Sequence, residues 1–229
     1  MCNLKSNKTL KEILEYKKIL KNLKQEDLEF VLFPSSLYLS FFYDAPYKIG
    51  SQNLSVYQSG SITGEILSNQ LKSLKVSYVL INHLDASEQI KDVITKIKNA
   101  TKDKLKVVLC IGEKERQTLE KASLEIIEEI HAIFSKLTKE EKENILLAYE
   151  PSWAINSGNI KNPEIIVSMV KKIKKEMKKT YELATPVLYG GGINIKNIGE
   201  VSKIDILDGY LLGNCANNPE NILKIIDKI

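Results

Sequence analysis

Three side chains in this sequence are of the types that together move protons: Lys5, His83 and Glu150. Glu150 closes the apolar run Ile145-Leu146-Leu147-Ala148-Tyr149 and is followed by Pro151. The proline lacks an N–H and restricts Glu150 to extended backbone, so the acid sits where a strand stops. Residues Pro151 to Gly158 then form a short loop carrying Trp153, the single tryptophan, with Gly158 supplying the freedom to finish it. Taken alone, the stretch Ala148 to Gly158 reads equally as a tight strand-to-helix connection bearing a surface acid. His83 follows the run Tyr78-Val79-Leu80-Ile81, and Lys5 follows Cys2 to Leu4 beside Asn3. A lysine, an imidazole that is neutral near physiological pH and a carboxylate, each at a separate strand end, make an acid–base constellation. Gly190-Gly191-Gly192 and Gly213-Asn214 follow two further apolar runs. Such turns let successive N–H groups converge on one oxyanion.

The elements that position these residues alternate along the whole chain. Strand-like runs fall at Cys2 to Leu4, Phe30 to Phe33, Tyr47 to Ser51, Tyr78 to Ile81, Val107 to Ile111, Ile145 to Glu150, Val187 to Tyr189 and Leu207 to Leu212. Helical patterns intervene at about Leu10 to Leu23, Gly64 to Leu74 and after Ile111, where Leu119, Ile126, Ile130 and Phe134 form one stripe. A short helix or turn is expected from Leu37 to Phe42. Eight strands, each with a helix or helical turn after it, predict a single-domain (β/α)8 barrel spanning residues 1–229, a fold that typically takes about 250 residues. An open doubly wound sheet would alternate in the same way, but it calls for a glycine-rich turn after the first strand, and none is present. In a closed barrel the loops after the strands converge at one end, which is where the residues named above fall.

Composition narrows the function classes. The net charge is +4, and Arg116 is the single arginine among 33 basic residues. Arginine is the usual bidentate reader of phosphate and guanine, so sequence-specific nucleic-acid binding is not expected. Lys171, Lys172, Lys174, Lys175, Lys178 and Lys179 alternate with Ile166, Met169, Val170, Ile173 and Met177 at helical spacing, which is a solvated helix face. No apolar run of about 18 residues occurs, and the N-terminal residues lack a signal peptide's apolar stretch, so no membrane partner is expected. Cys2, Cys110 and Cys215 are widely spaced, which argues against a disulfide framework or zinc site and makes a reducing cytosol the default. Cys110 reads as a small buried apolar group, His131 as a structural helix residue and Glu113 as a supporting acid.

In order along the chain stand Asn3-Leu4-Lys5, Gln52-Asn53, Gly60 with Thr63-Gly64-Glu65-Ile66, His83, Cys110-Ile111-Gly112-Glu113, Ala148 to Gly158, Tyr189-Gly190-Gly191 and Asp208 to Gly213. Together these motifs resemble the triosephosphate isomerase family from end to end. The resemblance implies interconversion of dihydroxyacetone phosphate and glyceraldehyde 3-phosphate through an enediolate, with no metal or organic cofactor. It implies Glu150 as base and His83 as a neutral imidazole that polarises the carbonyl; that pairing is the family's own pattern rather than a reading of spacing. The expected neutrality fits a capped helix start at Asp85-Ala86-Ser87-Glu88, whose positive end disfavours imidazolium. Lys5 would supply positive charge with Asn3 orienting it, and Asp85 is a helix cap, a partner for Lys5, or both. Pro151 to Gly158 resembles the family's lid, placing Asn156 on the substrate phosphate with Gly192, Gly213 and Asn214. The loop from Gln52 to Glu65 resembles an arm that enters a partner subunit, Thr63 reaching towards the partner's Asn3, so a cytoplasmic homodimer in glycolysis and gluconeogenesis is implied.

The chain also departs from the family pattern. Leu84 stands where a serine would hold the resting base, and Asp85 is one methylene short of the usual glutamate. Ala86 replaces an arginine expected to meet the partner's counterpart of Glu65. Asn156 replaces a lid glycine, Gly192 a phosphate-loop serine and Asn214 a glycine. These changes motivate a competing expectation: a catalytically weakened or non-catalytic barrel that still binds phosphate ligands.

Overall fold

The protein is described by a computed structural model covering residues 1–23, 28–86, 88–151, 154, 160 and 162–229. Eight strands, β1 (Cys2–Asn3), β2 (Val31–Phe33), β3 (Lys48–Ser51), β4 (Tyr78–Ile81), β5 (Lys106–Ile111), β6 (Ile145–Tyr149), β7 (Val187–Tyr189) and β8 (Gly209–Tyr210), lie in one sheet in sequence order. Every neighbouring pair is parallel. The ends of the sheet meet: Asn3 N–H donates to the Leu212 carbonyl at 2.8 Å, and Leu212 N–H to that of Met1 at 2.9 Å. With the Cys2–Leu212 bridge these bonds join the β8 side to β1, as a (β/α)8 barrel requires.

Successive residues of a strand point to opposite faces, and two apolar clusters follow from that period. Val31, Phe33, Tyr78, Leu80, Val108, Cys110, Ala148, Leu188 and Leu211 form the smaller one, inside the sheet. Their strand neighbours Leu32, Val79, Ile81, Val107, Leu109, Leu147 and Val187 belong to the larger cluster, under the helices.

The helices are α1 (Leu10–Ile19), α2 (Ser68–Ser73), α3 (Ile90–Lys102), α4 (Leu119–Phe134), α5 (Lys139–Glu143), α6 (Pro163–Tyr181), α7 (Ile198–Val201) and α8 (Pro219–Ile226). All but α5 bury residues against the sheet or neighbouring helices. On α6, Ile166, Met169, Val170, Ile173 and Met177 are fully buried while most of its lysines face solvent, as their spacing predicts. Pro163 begins that helix, and the Asn162 side chain accepts the Glu164 N–H at 2.8 Å, a polar cap on a proline start. Among the described residues no helix is long and apolar enough to cross a membrane.

Several boundaries differ from the pattern read in the sequence, and for two of them the structure gives the cause. The helix expected from about Gly64 begins at Ser68, because residues up to Ile66 close a loop whose base is the Ser55 N–H to Ile66 carbonyl bond of 2.8 Å. The eighth strand covers only Gly209–Tyr210. Leu207 is spent in a turn, its N–H bonding the Ile204 carbonyl, and the Asp208 carboxylate accepts the Val187 N–H at 2.7 Å before regular pairing starts.

Candidate active site

The residues at the C-terminal strand ends come together in one cavity of about 270 Å³, lined by Asn3, Lys5, His83, Glu150, Gly192, Gly213 and Asn214 among others. Asn3 is buried, and its side-chain oxygen accepts the Lys5 N–H at 2.9 Å. That bond holds the turn in which Lys5 adopts φ 50°, a left-handed conformation uncommon for a lysine. Gln52 ties this end of the barrel together, donating to the carbonyls of Lys5 at 2.9 Å and Phe33 at 3.0 Å.

His83 is placed by the residue before it. Asn82 has φ 61°, and it is held by three contacts: its N–H to Glu88 Oε1 at 2.8 Å, and its amide to the Cys110 carbonyl at 3.1 Å and Glu129 Oε1 at 3.0 Å. Glu88 is itself paired with the buried Lys96, which also donates to Asn53 Oδ1 at 2.7 Å. The imidazole, 8% exposed, has Nδ1 2.6 Å from Asp85 Oδ1 and Nε2 3.6 Å from Glu150 Oε1.

This geometry corrects the expected helix start. Helix α3 begins at Ile90 behind Gln89, with no side-chain cap bond, and Ser87 lies outside the described residues. Asp85 and Glu88 are not caps: Asp85 pairs with Lys5 Nζ at 2.8 Å and with His83, and Glu88 pins Asn82 and Lys96. Of the alternatives for Asp85, the structure places it with Lys5. The ring's neighbour is therefore a carboxylate rather than a helix N-terminus.

Glu150 directly follows β6, its N–H donating to the Ile111 carbonyl at 2.9 Å, and it is only 3% exposed. Its Oε2 has no hydrogen-bond partner among the described residues. Burial raises its pKa above the ordinary glutamate value, and His83, the Cys110 thiol and Lys5 offset this only in part. Two glycines make the room it occupies. A Cβ at Gly112 would fall 2.0 Å from the Glu150 carbonyl oxygen, and one at Gly190 would fall 2.6 Å from Glu150 Cγ. Cys110 is buried beside this carboxylate, and its thiol pKa is pushed well up by burial and then by the charge of Glu150. Glu113 is buried and accepts from the Tyr149 hydroxyl at 3.2 Å, a supporting position behind the strand.

Gly192, which lines the same cavity, has φ 61°, and its carbonyl accepts from the amides of Asn194 at 3.2 Å and Asn197 at 3.0 Å. Gly213 and Asn214 stand at the start of the short turn after β8. Asn156 and the loop residues 152, 153 and 155–159 lie outside the described residues, as does Trp153. Thr63 is not in the cavity; it is exposed on the loop between β3 and α2. His131 is remote, with Nδ1 2.8 Å from the Tyr181 hydroxyl and Nε2 3.2 Å from Glu176.

Sequence reasoning missed Asn82, Gly112 and the Glu88–Lys96 pair. The signal for Gly112 was its place one residue beyond β5, opposite Glu150 on the adjoining strand. Among the described residues no group of three or more His, Cys, Asp or Glu side chains is placed to hold a metal. A desolvated carboxylate of raised pKa facing an imidazole, with a lysine in the same cavity, is suited to taking a proton from carbon and offsetting the negative charge that results.

A family model described as triosephosphate isomerase matches residues 1–229. A triosephosphate isomerase of Dictyoglomus turgidum is 33% identical over 98% of this chain and 96% of its own. One from Mesomycoplasma hyopneumoniae is 35% identical over 98% and 96%, and one from Dictyostelium discoideum 31% over 88% and 83%.

Proposed function

The chain belongs to the triosephosphate isomerase family, and from that premise we propose that it interconverts dihydroxyacetone phosphate and glyceraldehyde 3-phosphate, with Glu150 as the base. The observation that carries the assignment of roles is the single cavity holding Glu150, His83 and Lys5. Glu150 takes the proton from the carbon beside the carbonyl. Lys5 stabilises the enediolate as negative charge moves onto oxygen, and Asn3 fixes the turn that aims it. His83 moves a proton between the two oxygens, and Glu150 returns its proton to the neighbouring carbon. The raised pKa of Glu150 suits this cycle, because a base that must hold and return a proton works best when its pKa lies nearer the working pH.

Gly192, Gly213 and Asn214, which line the same cavity, hold the substrate phosphate, joined by Asn156 when the loop from Pro151 to Gly158 closes over it. Closure excludes water and strengthens every charge interaction inside. We assign Thr63 and its exposed loop to a homodimer contact near the partner's Asn3, and the protein to the cytoplasm and to sugar-phosphate breakdown and synthesis. The non-catalytic reading is disfavoured, since the base, the imidazole and the lysine are all retained and face one cavity.

The test is turnover of dihydroxyacetone phosphate by the purified chain in an assay coupled to a dehydrogenase acting on glyceraldehyde 3-phosphate. Turnover that vanishes in His83→Ala supports the proposal. A wild-type chain that binds phosphate ligands without turning over the triose would establish the competing reading instead. Light scattering on the same sample tests the dimer; a monomer mass at working concentrations would remove that assignment.

A further inference from the structure

The turn after β7 that lines the cavity is held from behind by two asparagines. Gly192, Ile193 and Asn194 line the cavity, and Asn197 stands behind them at the start of α7. The Gly192 carbonyl accepts from the Asn197 amide at 3.0 Å and from the Asn194 amide at 3.2 Å. Both side chains are oriented by partners whose roles are fixed: Asn197 Oδ1 accepts the Asn194 N–H at 2.8 Å, and Asn194 Oδ1 accepts the Lys196 N–H at 2.9 Å. A backbone N–H only donates and a carbonyl only accepts, so each amide must present its NH2 to Gly192.

The segment that carries them is itself fastened. The N–H groups of Asn197 and Ile198 donate to the Asn194 carbonyl at 3.2 Å and 3.0 Å, and Lys228 Nζ donates to the Ile195 carbonyl at 2.8 Å. Gly192, at φ 61°, takes a left-handed conformation that the lack of a Cβ permits. With residues 194 to 198 tied down, the two amides set the direction of the Gly192 carbonyl. Among the described residues there is no cis peptide, so the C=O and N–H of the peptide joining Gly192 to Ile193 point opposite ways. A carbonyl drawn back onto Asn194 and Asn197 therefore turns the Ile193 N–H away from them.

We propose that Asn197, assisted by Asn194, is a positioning residue for the substrate phosphate: it holds the Gly192 carbonyl oxygen back from the cavity, so that the turn offers an incoming anion N–H rather than oxygen. The proposal rests on the reading of Gly192 as part of the phosphate site. Its basis is the sign of the peptide dipole. A phosphate is negative, the N–H end of a peptide is positive and the C=O end negative, so the same peptide turned over would repel the ligand it now attracts. Asn197 touches no substrate in this role and acts only through Gly192.

Asn197→Ala removes the shorter of the two bonds to the carbonyl. The Kd for inorganic phosphate, measured by calorimetry, is expected to rise about tenfold, the factor that corresponds to one hydrogen bond of ordinary strength. KM for dihydroxyacetone phosphate should rise in step, and by more than kcat falls, as loss of binding common to substrate and transition state requires. A purely structural loss would not move these quantities. Thr138→Ala, which removes the cap of α5 ahead of β6 and so at the other end of the barrel, should lower the melting temperature and leave phosphate affinity unchanged. Phosphate affinity within twofold of wild type in Asn197→Ala overturns the proposal. In the wild type the Gly192 and Ile193 amide resonances should move when inorganic phosphate is added; if neither moves, the proposal is overturned whether or not the variant folds. Weakened phosphate binding in Asn197→Ala beside a wild type without triose turnover would defeat the isomerase reading and leave the positioning role standing. Turnover by the wild type with phosphate affinity unmoved in the variant would do the reverse.

Discussion

Gly190→Ala tests how tightly the position of Glu150 is set. Gly190 follows β7, its N–H donates to the Tyr149 carbonyl at 2.9 Å, and its backbone is not in the left-handed region, so alanine is conformationally allowed. The added Cβ would lie 2.6 Å from Glu150 Cγ, 3.1 Å from Cδ and 2.9 Å from Oε1, whereas ordinary contact begins at 3.4 Å. The carboxylate must retreat by roughly 1 Å, and misplacement of that size costs about 10²-fold in rate, or ~2.7 kcal/mol of transition-state stabilisation. The phosphate wall is untouched, so KM should change little. Overpacking should lower stability by about 1–3 kcal/mol, which leaves the fold populated. Gly199→Ala in α7, where a Cβ meets nothing within 4 Å, is the control: its kcat should equal wild type and its stability should rise by about 0.4–1 kcal/mol. Steady-state kinetics in the coupled assay, with thermal unfolding of the same samples, separate the effects. A Gly190→Ala protein with kcat within twofold of wild type would refute the claim that this glycine sets the base.

Three further outcomes follow from the same contacts. Because burial raises the pKa of Glu150, the unfolded chain ionises there before the folded one, and stability conferred at low pH is lost as pH rises through the folded-state pKa. Glu150→Gln should therefore melt higher than wild type at pH 8, with the gap closing below the ordinary carboxylate range; equal melting curves at every pH would contradict this. Lys96→Met leaves the partly buried Glu88 carboxylate without its cation and should cost about 1–3 kcal/mol in denaturant unfolding, part of which Glu88→Gln in the same chain should recover. Asn82→Ala keeps the left-handed backbone without an asparagine's tolerance for it and should be less stable than Asn82→Gly by about 1 kcal/mol, both falling below wild type through the lost bonds to Cys110 and Glu129.

Strand positions and the residues just beyond them were legible in the sequence because both depend on local pattern. Tyr78–Ile81 is a strand with the bounds read from its apolar run, and Glu150 follows the sixth strand because Pro151 ends it. The lysine-rich α6 was legible for the same reason: its five buried positions recur at helical spacing. Contacts made through space were not. Asp85 near a helix start has the look of a cap, and only the turn at residues 83–86, closed by the Ala86 N–H to His83 carbonyl bond of 2.8 Å, sends its carboxylate to His83 and Lys5. Lys96 was indistinguishable from the surface lysines around it, because its burial depends on Glu88 and Asn53 arriving from two other segments. Gly112 and Gly190 flank Glu150 across neighbouring strands, a crowding that shows only once the register of those strands is known. The short β8 reflects a competition that composition does not reveal, between the apolar run and the Asp208 side chain that takes a ladder N–H.

The central claim, that Glu150 removes the proton from the substrate carbon, is tested most directly by solvent exchange. Dihydroxyacetone phosphate incubated with wild-type protein in deuterium oxide should gain deuterium at the carbon that loses its proton, read by proton NMR or mass spectrometry. In Glu150→Gln that incorporation should slow by about 10²–10⁴-fold, the usual range for a general base, while the protein remains folded. Exchange at the wild-type rate in Glu150→Gln would contradict the account.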